Sequence, residues 1–157
     1  MTLMAEYRDA RRGEDAARLR RALALRALIA TGMSQRQIAD ALGITQPAVS
    51  QQLKSCPALD DVHPQTLLEA AAPVLTALAA DHGYTNLAVF GSVARRQAHA
   101  DSDIDLIVES PADTSTFDFL AFKQLMEQVL GREIDLVDYS ALTPTLDDDI
   151  RRDAVRL

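Results

Sequence analysis

The chain of 157 residues is poor in cysteine and in aromatic side chains, with one Cys, no Trp and an aromatic fraction of 4%. The lone Cys56 excludes an intramolecular disulfide and a cysteine-rich zinc site, and it is typical of a reducing compartment. No run approaches the roughly 18 apolar residues of a transmembrane helix, and the N-terminal segment, with Glu6 and Asp9, lacks the apolar core of a secretory signal. We therefore expect a cytoplasmic protein that has no membrane partner.

The net charge of −7 is distributed unevenly along the chain. Residues 1–55 have eight Arg and one Lys against five acids, a net charge of +4, which leaves −11 for residues 56–157. Nucleic-acid phosphates attract the first part and repel the second, so two modules with different partners are expected. Two prolines and two adjacent acids in residues 56–64 indicate a linker, with domains at 1–55 and 65–157.

Hydrophobic periodicity predicts the secondary structure of both parts. Helices are expected at residues 14–30, 64–82, 116–130 and 142–155, and strands at residues 87–90, 104–108 and 134–137. The second part is therefore of the α/β type, and we expect it to have its own core.

A pattern of two short helices precedes the linker. Ser34 can cap the first helix, whose apolar face is expected to contain Ile38, Ala39 and Leu42. Gly43 allows a tight turn, in which Ile44 should be buried.

The second helix of this pattern begins after Thr45, a further capping residue, with Pro47 in its first turn. Residues 34–54 resemble the helix-turn-helix of the Cro/repressor class, whose second helix enters the DNA major groove. The resemblance implies base contacts by Gln46, Ser50 and Gln51, phosphate contacts by Arg36 and Lys54, and a homodimer on a two-fold operator. The alternative is a helical hairpin used for dimerisation or partner docking.

Carboxylates and a Gly-Ser pair are concentrated in the acidic part. Asp103 and Asp105 alternate with Ile104 along a strand, so both should lie on one face of the sheet. Paired carboxylates without nearby His or Cys favour Mg²⁺ or Mn²⁺. Gly91 and Ser92 begin a short helix whose N–H groups suit phosphate. A predicted metal site beside a predicted phosphate site indicates nucleotide chemistry.

Asp135 lies in the apolar strand at residues 134–137, where its charge needs a compensating partner. If this strand neighbours that of Asp103 and Asp105, the three carboxylates form the triad that two-metal nucleotidyl transfer requires. Arg95 either contacts phosphate or is solvated.

The order of Gly91-Ser92, Asp103, Asp105 and Asp135 resembles the minimal nucleotidyltransferase (MNT) family of the DNA polymerase β superfamily, as do residues 130–137 and 142–157. The resemblance implies a nucleotidyltransferase domain with a small mixed sheet flanked by helices, of the α+β type, behind the all-helical module. It also implies transfer of AMP from ATP with two Mg²⁺ ions.

The MNT resemblance assigns roles to these residues. It implies that Gly91 and Ser92 contact the triphosphate, that Asp103 and Asp105 bind both ions, and that Asp135 is third ligand and general base. The family commonly has Gly after Ala-Arg, whereas this chain has Arg96.

Three functions fit the two modules. MNT proteins are often paired with a HEPN toxin, an RNase that they inactivate by adenylylating a tyrosine hydroxyl, so the chain can be an antitoxin that also binds its operator DNA. It can instead be a transcriptional regulator whose second module only senses ATP. It can also adenylylate a small molecule such as an aminoglycoside.

Overall fold

The structure is a computed structural model that describes residues 2–145 and 147–157. The helices are α1 (Leu3–Ala30), α2 (Gln35–Leu42), α3 (Gln46–Lys54), α4 (Pro64–Asp81), α5 (Gly91–Ala94), α6 (Thr116–Leu130) and α7 (Asp148–Asp153). The strands are β1 (Thr85–Phe90), β2 (Ile104–Glu109), β3 (Ile134–Asp138) and β4 (Val155–Arg156), and 3₁₀ turns occupy Leu59–Asp61 and Tyr139–Ala141.

The first helix is longer than its apolar periodicity predicts. It begins at Leu3, where the Thr2 hydroxyl caps it by accepting from the Ala5 N–H at 3.2 Å. Its first half is charged and exposed, so a pattern based on buried residues detects only the second half. Among residues 2–145 and 147–157, no helix is both long and apolar enough to cross a membrane.

Helices α2 and α3 form the expected helix-turn-helix. Ser34 and Gln37 make a reciprocal capping box, in which the Ser34 hydroxyl accepts from the Gln37 N–H at 3.1 Å and the Gln37 side chain accepts from the Ser34 N–H at 2.9 Å. Gly43 ends α2 with a φ of 69°, and Thr45 caps α3. A small core of Leu25, Ile38, Ala39 and Val49 joins this unit to α1.

Two expectations for the helix-turn-helix core are wrong. Leu42 is 55% exposed and Ile44 is 37% exposed, whereas both were expected to face inward. The two short helices enclose only Ile38, Ala39 and Val49, and α1 covers these through Leu25. Leu42 and Ile44, on either side of Gly43, belong neither to this cluster nor to the residues packed against it.

Four strands form one mixed sheet in the order β3-β2-β1-β4. The β2 and β3 strands are parallel, and β1 is antiparallel to both β2 and β4. Residues of β2 alternate between two faces. One face packs Ile104, Leu106 and Val108 against α4 and α6, and the other face contains Asp105 and Ile107.

The main core includes residues from both predicted domains. Leu19, Leu23 and Ala27 of α1 pack in the same buried cluster as α4, α6 and the sheet, so the separate core expected for the second part is wrong. Arg26 strengthens this contact, because its guanidinium donates to the carbonyls of Gln128 at 2.7 Å and Val129 at 2.9 Å, at the end of α6.

Secondary structure in the C-terminal segment also differs from expectation. The predicted helix at residues 142–155 is wrong, because only Asp148–Asp153 is helical among the described residues of this range. Leu146 lies outside the described residues. Asp147 accepts from the Thr143 N–H at 2.6 Å and so competes with a helical turn there. Val155 and Arg156 extend along β1 as β4, a pairing that no local pattern indicates.

Candidate functional site

Asp105 and Asp135 are direct neighbours on adjacent strands. The parallel register of β2 and β3 pairs Asp105 with Asp135, and it pairs Ile104 with Ile134 one residue earlier. Paired residues of neighbouring strands lie on the same face, so both carboxylates are on the face opposite Ile104. Asp103 comes directly before β2, and by the same alternation of side chains it lies on the face of Asp105. Asp105 is half-buried, whereas Asp103 and Asp135 are exposed.

The electrostatics of Asp105 follow from this arrangement. Burial raises the pKa of Asp105 to about 6 from its ordinary value of 3.8, and a hydrogen bond and like charge from Asp135 and the charge of Asp103 act in the same direction. The positive charge of Arg95 lowers the pKa of Asp105 but does not cancel these effects. The carboxylates therefore repel one another unless a proton or a cation neutralises them.

The backbone of Gly91 lies against Asp105. Gly91 has a φ of 71°, and a Cβ atom at this position would overlap Asp105 Oδ2 and lie 3.1 Å from Asp105 Cγ. Only glycine allows both this φ and this approach. The sequence predicts that Gly91 contacts the triphosphate, and the structure adds this contact with a carboxylate.

The turn after β1 contains the Gly-Ser pair and Arg95. Gly91 to Ala94 form one short helical turn, and the Gln97 N–H closes the loop by donating to the Ser92 carbonyl at 2.9 Å. Arg96 has a φ of 57°, the left-handed conformation that glycine adopts easily. Arg96 thus occupies a backbone conformation that a glycine at this position would adopt without strain.

Arg95 pairs with a residue that the sequence did not single out. Its Nη1 donates to Asp153 Oδ2 at 2.7 Å, which ties the turn after β1 to α7. The Asp153 side chain is 22% exposed, and α7 packs beside it through Ile150 on the face of Ile107. No spacing in the sequence relates residue 95 to residue 153, so this contact had no detectable signal.

The predicted nucleic-acid residues lie apart from the carboxylates. Arg36, Gln46, Gln51 and Lys54 are exposed and Ser50 is half-buried, on or beside α3, which packs on α1 and α2. Gln46 Nε2 donates to Gln35 Oε1 at 2.8 Å, which orients the side chain at the start of α3. Polar side chains at this end of the second helix are those that reach base edges in helix-turn-helix proteins.

The carboxylates suit a divalent cation by their chemistry. Their hard oxygen donors are the ligands that Mg²⁺ prefers, and a cation would remove the repulsion that raises the pKa of Asp105. Within residues 2–145 and 147–157, no three acidic, His or Cys side chains already converge as ligands of one ion. Asp105 and Asp135 instead lie side by side on neighbouring strands, where a cation would offset their like charge.

The space around the carboxylates is open. A cavity of about 910 Å³ lies at the carboxyl ends of β2 and β3, beside Asp138 and Tyr139. Asp103, Asp105 and Asp135 do not line it. Asp103 and Asp135 are both exposed to solvent.

A mixed sheet with two paired aspartates, a third before them and a Gly-Ser turn against them defines a nucleotidyltransferase of the polymerase β type. The family model described as "Polymerase beta, Nucleotidyltransferase" matches residues 77–157. This chain belongs to that family. A model of homeodomain-like domains matches residues 15–56, which agrees with the helix-turn-helix of α2 and α3.

Known proteins are similar to the C-terminal part. A protein of Methanocaldococcus jannaschii named as a candidate protein adenylyltransferase is 39% identical over 74 residues, 47% of this chain and 80% of its own length. The protein adenylyltransferase MntA of Thermococcus cleftensis is 33% identical over 92 residues, 56% of this chain and 93% of its own. A solved structure described as a candidate minimal nucleotidyltransferase has a TM-score of 0.54 and 35% identity, over 59% of this chain and 95% of that one.

These similarities confirm the polymerase β-like fold and the predicted resemblance to minimal nucleotidyltransferases. They support nucleotidyltransferase activity in a chain that also has a helix-turn-helix.

Proposed function

We propose that this chain transfers AMP from ATP to a hydroxyl group of a protein partner. The observation that carries the proposal is the pairing of Asp105 with Asp135 against the backbone of Gly91. Carboxylates held in this way favour a hard cation, and the first N–H groups of a short helical turn have no partner within it and favour phosphate. A cation and a phosphate cradle at one place are what nucleotidyl transfer requires.

Each residue has a proposed role in the reaction. Gly91, Ser92 and Arg95 bind the triphosphate of ATP, and Asp103, Asp105 and Asp135 hold two Mg²⁺ ions. Mg²⁺ held by these carboxylates would supply Lewis-acid chemistry, which would lower the pKa of the acceptor hydroxyl and offset charge on the departing pyrophosphate. Asp135 accepts the hydroxyl proton as the acceptor oxygen bonds to the α-phosphorus and the bond from that phosphorus to pyrophosphate breaks.

The exposure of Asp103 and Asp135 supports a macromolecular acceptor. A residue on another protein's surface can approach this open face, and two of the similar proteins are named for protein adenylylation. We therefore favour a HEPN-type toxin as the acceptor, with this chain as its antitoxin.

Transfer of label from ATP marked at the α-phosphate tests the reaction, with the purified protein of the adjacent gene as acceptor. Asp103→Asn and Asp135→Asn should each lower the transfer rate at least about a hundredfold, because they remove charge from the metal and base positions without changing volume. Asp101→Asn is the matched control, since Asp101 is exposed in the same loop.

The outcomes separate the candidate functions. Unchanged transfer by Asp103→Asn would contradict the proposed metal-binding role of Asp103. Binding of ATP without transfer to any acceptor would favour the nucleotide-sensing regulator, and transfer to an aminoglycoside but not to the protein would favour the small-molecule enzyme.

We also propose that the helix-turn-helix binds the operator of the chain's own gene as a homodimer. Gln46, Ser50 and Gln51 contact base edges, and Arg36 and Lys54 contact phosphates. The exposed side of α3 and the oriented Gln46 side chain support this proposal. Phosphate contacts should weaken with salt on every DNA, whereas base contacts should matter only on the operator.

Binding of the Gln46→Ala, Gln51→Ala variant to the promoter and to scrambled DNA, at two salt concentrations, tests this role. We expect a loss of about 2 to 6 kcal/mol on the promoter alone, at about 1 to 3 kcal/mol for each amide. Gln124→Ala, at an exposed position of α6, is the control. Equal losses on both DNAs would leave the helix-turn-helix as a docking or dimerisation element.

A further inference from the structure

The first half of α1 extends away from the rest of the molecule. From Glu6 to Arg18 every residue is exposed, and Leu19 is the first that packs in the core. We call residues 3–18 the arm. Its tip has apolar side chains, with Leu3 89% exposed and Tyr7 62% exposed. The arm makes no core contacts, and isolated helical segments of about this length are only marginally stable in water. The arm therefore lacks the packing that would stabilise it as a helix.

A groove runs beside the second half of the same helix. It lies between α1 and α4 and has a volume of about 620 Å³. Small apolar side chains line it, including Ala17 and Ala24 of α1 and Val74 and Ala77 of α4. Side chains of this size leave room for a further helix to approach closely.

The groove and the arm share one face of α1. Positions seven apart in a helix differ by only about 20°, so Leu3, Ala10, Ala17 and Ala24 form a continuous strip along the helix. Ala17 and Ala24 belong to the groove, and Leu3 and Ala10 continue the strip onto the arm. One chain therefore carries both an exposed helical segment with a strip of apolar side chains and a groove lined by the continuation of that strip.

Charges on this face change sign between the two halves. At about 100° per residue, Glu6 and Glu14 on the arm and Arg20 and Arg21 at the groove all lie within about 60° of Ala17. The arginines of the arm, at positions 8, 11, 12 and 18, lie at least about 100° away. The groove also contains one acid, Asp81 of α4, on the side opposite α1.

We propose that α1 pairs antiparallel with α1 of a second copy, so that each arm occupies the groove of the other chain. A two-fold axis near residues 15 and 16 brings Leu3 beside Leu28 and Tyr7 beside Ala24 across the pair. The face of the arm that contains Glu6 and Glu14 then meets Arg20 and Arg21 of the groove, whereas parallel pairing would bring like charges together. This surface rests on the homodimer of the proposed function and specifies how it forms.

Sedimentation equilibrium of the full chain and three variants tests the surface. Deletion of residues 2–13 removes the arm tip but no core residue, and Ala24→Glu fills the groove and cancels its net positive charge. We expect the unaltered chain to be a dimer and each variant to dissociate at least about a hundredfold more readily. Ala121→Glu, at an exposed alanine of α6, should remain a dimer.

Mixing the two interface variants provides the decisive measurement. The arm-deleted chain retains its groove and the Ala24→Glu chain retains its arm, so a mixture should form a heterodimer although neither variant forms a dimer alone. If the pairing instead depended on contact between the two arms, the mixture would not form a dimer, because one of its two chains lacks residues 2–13.

Three results would overturn the proposed surface. If both variants remain dimers, the homodimer stands but uses another surface. If the unaltered chain is a monomer, the proposed homodimer fails together with this surface. If the unaltered chain is a monomer and arm deletion prevents binding of the adenylylated partner protein, the arm docks that partner and not a second copy.

Discussion

Gly91 and Asp105 are in direct contact across β1 and β2, with the glycine backbone against the carboxylate. A Cβ atom at residue 91 would lie 3.1 Å from Asp105 Cγ and would overlap Oδ2. This contact couples the turn that we assign to phosphate to the carboxylate that we assign to metal. The position of one therefore constrains the position of the other.

Replacing Gly91 by Ala should abolish nucleotide transfer and weaken Mn²⁺ binding. The change adds a left-handed strain of about 1 to 2 kcal/mol and also displaces the Asp105 side chain. Gly43→Ala is a matched control, because Gly43 has a similar φ of 69° but nothing lies within 4 Å of its added Cβ. Both variants should lose stability, but retained transfer by Gly91→Ala would contradict the proposed coupling.

The raised pKa of Asp105 predicts how stability depends on pH without divalent ions. Between the ordinary value of 3.8 and the folded value of about 6, the folded chain binds the proton more tightly, so its stability falls as pH rises through this range. Asp105→Asn mimics the protonated carboxyl. Its Tm should exceed that of the unaltered chain above about pH 6, and the two should converge near about pH 4.

Thermal melts in chelator across this pH range check the expectation. Asp101→Asn, at an exposed position, should follow the unaltered chain at every pH. If Asp105→Asn is less stable than the unaltered chain above about pH 6, then burial and the neighbouring carboxylates do not disfavour the charged form of Asp105.

Arg96→Gly should stabilise the protein by about 0.5 to 1 kcal/mol. Glycine relieves the cost of a side chain at a φ of 57°, which outweighs its larger entropy in the unfolded chain. The exposed pair of Arg96 with Glu69, at 4.0 Å, contributes little. Denaturant unfolding of Arg96→Gly beside Arg96→Ala separates the two effects, because Ala removes the charge and keeps the strain. Equal stabilities of the two variants would contradict the backbone explanation.

Leu23→Ala should destabilise the whole chain, including the nucleotidyltransferase part. Leu23 is fully buried in the core that α1 shares with α4 and α6, so its truncation should cost about 2 to 5 kcal/mol. Leu42→Ala, at a residue 55% exposed, should cost less than about 0.5 kcal/mol. We expect one unfolding transition by circular dichroism in each case. A separate, unshifted transition of residues 56–157 would show that α1 does not support their core.

Local chemistry in the sequence specifies much of the helical structure. The helix at Thr116–Leu130 agrees with its predicted range, and the cap at Ser34, the turn at Gly43 and the cap at Thr45 form as expected. These features depend on interactions between residues at most four positions apart, which a single segment specifies. The alternation of Asp103 and Asp105 with apolar residues likewise predicted which side chains share a face of β2.

Long-range relationships required the three-dimensional packing. The neighbouring positions of Asp105 and Asp135 depend on how β2 and β3 align, and the pair of Arg95 with Asp153 joins residues 58 positions apart. The edge strand β4 pairs along the free side of β1, and Ile44 is exposed because it lies outside the small core that joins α1 to the helix-turn-helix.

The caps of α2 and α3, the faces of β2 and the order of the chemical groups could be read from the amino-acid sequence, because they follow from short-range sterics and hydrogen bonds. Three further features emerged only when the elements packed together: α1 belongs to the core of the acidic part, Gly91 touches a carboxylate, and Arg95 is held by the C-terminal helix. Each of these features depends on how segments far apart in the chain pack together. Many alternative packing arrangements satisfy the same local preferences, so the local sequence does not choose among them.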